Sequence, residues 1–415
     1  MKSLIIAAAV LFVPAHELPA QQQRNTQSET IETLLARIER LERRVAELEG
    51  SRVQAEPAVQ RAEPVQAPAE ASHPELVQTP PEGPSLKIAG FGDFNFAGSD
   101  QKGTRSGFTE GQFVLHLNSN LTQKVSFMGE LSLTARTDAG LFAPSVTGFN
   151  AEVERSIIRF EHNDYLKVSF GRYHTPINYW NTAFHHGQWL QTTVSRPEMV
   201  QFGGRFIPVH FVGGLVEGAV GANGLNLNYN FGIGNGRGPV LSRGGDAGDI
   251  NNHRAWLVNM FVRPDKLYGL QVGGSAYRDK VRTAGRDFGE WISSAHVVWN
   301  RETPEVIAEF ANVRHESLTT ASPVSNSQAY YVQAGYRLPM FEKRWKPYYR
   351  FEYIHIPRSD FLFQSQGVSN LAGSVAGLRY DLTSFAALKF EYRNQRRDPG
   401  QPRINSGFVQ TSFTF

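Results

Sequence analysis

The chain has 415 residues, with 42 Lys and Arg against 39 Asp and Glu, 12% aromatic residues and no cysteine. After residue 13 there is no apolar run of the roughly 20 residues that a membrane-spanning helix needs, so a helical membrane bundle is excluded. The missing cysteine removes disulfide frameworks, thiolate metal sites and thiol nucleophiles, and a formal net charge of +3 is too small to mark a nucleic-acid binder.

Residues 1–20 read as a secretory signal: Lys2 supplies the positive end, residues 4–13 are apolar, and Leu18-Pro19-Ala20 offers a small-residue cleavage point. Residues 21–50 read as a coiled-coil oligomerisation helix. Thr26 and Glu29 have capping-box spacing. Behind them Ile31, Ile38 and Val45 fall at heptad position a, and Leu34, Leu41 and Leu48 at d. Arg37 and Arg44 at g face Glu42 and Glu49 at e, the arrangement that joins identical parallel helices. β-branched residues at a with leucine at d favour two strands by the general rule. The pattern Arg37-Ile38-x-x-Leu41-Glu42, repeated at Arg44-Val45-x-x-Leu48-Glu49, resembles short trimeric coiled coils and favours three. Residues 51–84 are rich in Pro, Ala and Glu; Pro57, Pro64, Pro68, Pro74, Pro80, Pro81 and Pro84 make them an extended spacer.

From residue 85 to 415 the period changes from seven to two. Leu131 and Leu133 alternate with Glu130, Ser132 and Thr134, and Tyr330, Val332 and Ala334 with Tyr331, Gln333 and Gly335. The predicted strands are 86–97, 107–120, 123–137, 151–162, 165–173, 200–219, 223–233, 251–263, 267–281, 287–300, 303–316, 328–339, 346–357, 370–381, 385–397 and 405–415. Many match the nine to eleven residues that cross a bilayer at a tilt. Pro208 is expected to kink the sixth, kept as one strand so that both termini lie at one rim. Short turns alternate with long loops, as in up-and-down transmembrane barrels. Such a sheet must close on itself, because an open edge in hydrocarbon leaves amides unpaired. Tyr165, Tyr268, Trp299 and Phe385 sit near strand ends as interface anchors.

The polar parity supplies candidate pore-lining cations: Lys87, Arg136, Arg155, Arg159, Lys167, Arg337, Arg350, Arg379, Lys389 and Arg393. The acids Asp93, Glu130, Glu161, Glu309, Glu352 and Glu391 share that parity. Residues 84–415 hold 34 Lys and Arg against 27 Asp and Glu, a basic balance that raises local anion concentration. Arg172 falls on the apolar parity, which points to a bulge or to the rim.

The terminal strand ending in Phe415, the hairpin order, the long loop after Phe170-Gly171-Arg172-Tyr173-His174-Thr175-Pro176 and the N-terminal coiled coil together resemble Gram-negative outer-membrane porins, nearest to the phosphate-selective porin O and P family and its coiled-coil-bearing relatives. That resemblance implies a homotrimer of all-β, 16-stranded antiparallel transmembrane barrels, each a passive pore for small hydrophilic or anionic solutes. It also implies a third loop folded inward as the constriction. Residues 173–199 occupy the constriction position, with His174, His185, His186, Arg196 and Glu198 as its candidate residues, but they lack a dense Arg and Lys ladder. The three histidines lie at no recognised metal-ligand spacing and read as loop packing. Gly232-Ile233-Gly234-Asn235-Gly236-Arg237-Gly238 fails the dinucleotide fingerprint, Asp246, Asp249 and Asn251 lack the EF-hand pattern, and no Gly-x-Ser-x-Gly motif marks an enzyme. The expectation is therefore a channel with no cofactor and no nucleic-acid partner, set in outer-membrane lipid with its coiled coil in the periplasm near peptidoglycan. The alternative is a structural barrel that tethers the envelope through that coiled coil.

Overall fold

A computed structural model of the chain describes residues 84–135, 149–201, 205–242 and 244–415. The signal segment, the coiled-coil seam, nearly all of the spacer and Arg136 lie outside the described residues. The strands are β1 Ser85–Ser99, β2 Gly107–Asn120, β3 Val125–Ala135, β4 Phe149–Asn163, β5 Leu166–His174, β6 His210–Val220, β7 Leu227–Asn235, β8 Ala255–Val262, β9 Leu270–Thr283, β10 Arg286–Asn300, β11 Glu305–Ser317, β12 Ser325–Gly335, β13 Trp345–His355, β14 Leu371–Asp381, β15 Ala386–Arg397 and β16 Ile404–Thr414. Each pairs antiparallel with its sequence neighbours, and β16 returns to β1, so the sheet is a closed barrel.

The period-two pattern maps onto the two faces of the wall. In β12, Ser327, Ala329, Tyr331 and Gln333 are buried inside, whereas Tyr330 and Val332 are exposed outside. Outward aromatics pair across strands, as Tyr330 does with Tyr353 at 5.4 Å between ring centroids and Phe96 with Phe108 at 5.0 Å. Tyr165, Tyr268 and Phe385 stand exposed at the short-turn rim as the pattern predicts. At the closing seam Gly90 and Phe415 exchange backbone hydrogen bonds of 2.9 and 3.1 Å. The Phe415 ring lies where a side chain at position 90 would stand, 2.4 Å from an ideal Cβ, so glycine admits the terminal ring.

One rim carries both ends of the strand run and the turns 121–124, 164–165, 221–226, 263–269, 301–304, 336–344 and 382–385. The other carries the longest connections, 175–209, 236–254 and 356–370, and also a two-residue turn at Ala284 (φ 48°) and Gly285 (φ 74°), where left-handed backbone suits a tight hairpin.

The sixth expected strand differs. Among residues 200–209 the described ones, 200–201 and 205–209, are not strand, and β6 begins only at His210. Val200, Phe206, Ile207 and Val209 are apolar because they pack inside the lumen, and that burial imitated a strand signal. The described residues of the long connection between β5 and β6, with α1 Trp180–Ala183, fold into the barrel. Ile177, Trp180, Met199 and Ile207 meet inward residues Tyr277, Ile292 and Tyr331, together with Leu362 and Phe363 of α2 Phe361–Ser365, in one buried apolar cluster. α2 is pinned by Asp360, which accepts from Phe363 N (3.1 Å), Ser327 Oγ (2.6 Å) and His315 Nδ1 (2.8 Å).

Candidate functional site

Burial of a polar loop inside a barrel requires that its backbone groups find partners. The wall provides them. Arg350 donates to the Ser195 carbonyl (2.8 Å), Ser195 Oγ (2.8 Å) and the Arg196 carbonyl (3.2 Å). Arg379 donates to the carbonyls of Trp189 (2.7 Å) and Gln191 (3.0 Å), and Lys389 to those of Gln188 and Thr193. Wall carboxylates take the loop's donors. Glu309 accepts from Tyr179 N and Trp180 N at 2.8 and 2.6 Å, Glu352 from Glu198 N at 2.6 Å, and Glu391 from Val194 N at 2.9 Å and Ser195 Oγ at 2.6 Å. Arg350, Arg379 and Lys389, expected along the passage, are instead buried under the loop and anchor it. Their strands carry them on the buried face, but the pattern of one strand does not show what a distant loop lays over it.

The remaining candidates are paired or peripheral. Arg155 meets Glu130 at 2.5 Å, Arg159 meets Glu217 at 3.0 Å and Lys167 meets Glu161 at 3.5 Å. Arg337 bridges Glu302 (2.9 Å) and Asp381 (2.5 Å) at the short-turn rim. Arg393 binds Glu391 at 2.7 Å and lies over the Phe408 ring. Lys87 is exposed near the short-turn end of β1, and Asp93 is buried, accepting from Gln112 N (3.0 Å) and Asn95 Nδ2 (2.6 Å). In the constriction loop, Arg196 donates to the Val200 carbonyl (3.3 Å) and to that of His185, while Glu198 takes Arg397 at 2.9 Å.

Between the loop and the short-turn side of the wall lies a cavity of about 410 Å³. Arg155, Arg159 and Arg263 line it, with Glu217 as the acidic lining residue. Arg263 on the β8–β9 turn donates to Gln271 Oε1 at 2.9 Å and stacks over Phe261 at 4.9 Å, so a guanidinium is held toward the cavity by neutral groups. It follows the last residue of β8 but lies within the strand expected at 251–263 and shares the inward parity of Leu257 and Asn259, a signal that the choice of candidate cations passed over.

The loop candidates also converge at a point that no sequence spacing marks. β3 and β4 shift register between Glu130 and Leu131, so Glu154 is the extra residue of a bulge. Outward Val153 is followed by Glu154 and Arg155 side by side, and the parity reverses so that Ile157 is buried and Ile158 exposed. Glu154 Oε2 meets Nε2 of His210 at 2.8 Å, His186 at 3.2 Å and His185 at 3.9 Å. His174 stacks 3.9 Å from His185 between ring centroids and lies 3.4 Å from Glu130 Oε2. Burial lowers the His185 imidazole well below its ordinary value. The bulge explains Arg172 too. Instead of facing outward at full length, it reaches Glu152 (2.9 Å), the Val153 carbonyl and His210 Nδ1 (3.0 Å), beside Gly171 at φ 139°.

No protein-family model matches the chain, and no curated protein matches it. Solved structures do. The chain is similar to an anion-selective porin from Comamonas acidovorans (TM-score 0.56, 12% identity, 80% of this chain and 100% of that one). It is also similar to the outer membrane channel DcaP of Acinetobacter baumannii (0.55, 12%, 81% and 99%) and to the trimer form of OmpT, an outer membrane protein of Vibrio cholerae (0.53, 12%, 80% and 100%). At such identity the likeness establishes a shared porin-type barrel fold.

Proposed function

We propose that this chain is an outer-membrane porin, a passive diffusion channel for small hydrophilic solutes with a bias toward anions. One observation carries the reading: a closed hydrogen-bonded cylinder with apolar side chains outside and a polar, loop-crossed lumen inside. A wall without edges leaves no backbone amide facing hydrocarbon, and its outward belt needs no water. The likeness to an anion-selective porin and an outer membrane channel supports the same function, and the trimeric state of the OmpT barrel supports a homotrimer, which the coiled-coil seam favours. In this reading the signal is removed, the coiled coil lies in the periplasm, and phosphate is among the candidate solutes.

The anion bias rests on Arg155, Arg159 and Arg263 around the cavity under the loop. Guanidinium charge in a narrow lumen raises local anion concentration within a screening length of about 8 Å at physiological salt. The test is the reversal potential of planar bilayers under a salt gradient. Wild type favours the anion, and Arg263→Gln combined with Arg159→Gln lowers that preference; an unchanged potential removes both residues from the filter.

The apolar cluster of Trp180, Ile207, Leu362 and Phe363 inside the barrel favours a second reading, a largely plugged barrel that tethers the envelope. Folded protein that inserts but never conducts selects that reading.

A further inference from the structure

We propose that the root of the third loop is a binding site for a late first-row divalent cation of the zinc, nickel or copper class, held by Glu154, His174, His185 and His210. The inference depends on these side chains alone and holds or fails apart from the channel reading. The ligand atoms of the four residues lie within 4.8 Å of one another, and Glu130, His174 and His186 form an adjoining three-residue set within the same span. Three imidazoles and one carboxylate match a tetrahedral site in which ligand atoms stand about 2.0–2.1 Å from the metal, so small side-chain movements close the set. Imidazole-rich donors select against calcium and magnesium, which take oxygen.

The placement comes from four separate elements of chain. His174 ends β5 and His210 begins β6, and the two are direct cross-strand partners. Glu154 is turned inward by the bulge in β4. His185 arrives on the loop itself. A cation here would fasten the loop to the strands on either side of its root.

The supporting hydrogen bonds set the donor atoms. Asn181 spends both amide hydrogens on the carbonyls of Thr175 and Val209, at 2.9 Å each, so its Oδ1 must accept from His185 Nδ1 at 2.9 Å. The proton of neutral His185 is thereby fixed on Nδ1, and the Nε2 lone pair turns toward Glu154. Gln112 Oε1 stands 3.3 Å from His186 Nδ1 in the same sense. Such carbonyl partners behind a histidine orient it and raise its basicity at metal sites. His210 is the adjustable ligand. Arg172 donates to its Nδ1, so its Nε2–H faces Glu154. When the cation takes that position, the proton moves to Nδ1, and Arg172 keeps Glu152 and the Val153 carbonyl.

The test uses the purified full chain in detergent, stripped with chelator and titrated with Zn²⁺ by calorimetry. The expected result is one equivalent per barrel. His185→Gln and Glu154→Gln each weaken binding at least 100-fold, Asn181→Ala weakens it about 10–100-fold, and His296→Gln, elsewhere in the lumen, leaves it unchanged. Co²⁺ bound to the wild type should show the intense visible bands of a tetrahedral nitrogen and oxygen site, a readout that does not depend on any variant folding. Sub-stoichiometric Zn²⁺ uptake by the folded wild type overturns the proposal. So does a Co²⁺ spectrum of six-coordinate form, or affinity that survives both ligand substitutions.

Discussion

Removal of the Glu391 carboxylate should release the tip of the third loop while leaving the barrel wall intact. Glu391 accepts from Val194 N (2.9 Å), Ser195 N (3.2 Å), Ser195 Oγ (2.6 Å) and Tyr348 OH (2.9 Å). In Glu391→Ala the two hydroxyls can turn to other acceptors and Val194 N–H keeps a long 3.4 Å bond to Tyr348 OH, but Ser195 N–H loses its acceptor while the loop stays docked. A buried donor left unsatisfied costs about 1–3 kcal/mol, so with the weakened Val194 bond included docking loses about 3 kcal/mol. At 1.4 kcal/mol per factor of ten, the undocked population rises roughly 100-fold. The strand pairing of β15 with β14 and β16 is made by the backbone and does not depend on this side chain. The assays are limited proteolysis between residues 188 and 198 and single-channel recording. Faster cleavage and larger or noisier conductance are expected, with heat-modifiable migration on gels retained as proof of folding. A folded variant as protease-resistant and as quiet as the wild type refutes the assignment of Glu391 as a loop anchor.

Gly90→Val places a Cβ 2.4 Å from the Phe415 ring and 2.7 Å from the Val114 carbonyl, so the closing seam must shift; the folded fraction in refolding assays should fall sharply, and normal yield contradicts the seam's role. Tyr330→Arg puts a charge on the outward face in mid-strand and should cost about 2–4 kcal/mol in lipid refolding titrations. Asp360→Ala removes the cap of α2 and the acceptor for Ser327 and His315. Loss of the cap alone is worth about 1 kcal/mol, and hydrogen exchange over residues 357–367 should quicken while β12 stays protected.

Strand positions were legible because alternation is a local property of the chain. The second strand was expected at 107–120 and is Gly107–Asn120, and β12 shows unbroken alternation of burial. The reading failed where tertiary packing supplied the apolar residues: Val200, Phe206 and Ile207 are loop residues buried in the lumen, and no window of sequence separates that from a strand. The same limit governs the site. His174, His185 and His186 are close in sequence and were recognisable together, whereas Glu154 joins them through a bulge and His210 through strand pairing across a 35-residue connection, 175–209. Arg350 and Lys389 have the inward parity expected of wall cations, but their partners lie about 150 to 200 residues away in the chain.

The central claim is tested most directly by adding the purified, refolded chain to a planar lipid bilayer and recording current at fixed voltage. A porin gives discrete conductance steps, each a barrel or a trimer of barrels entering the membrane, with a reversal potential on the anion side under a salt gradient. Protein that migrates as a folded barrel and inserts, yet carries no current at any voltage, contradicts the account.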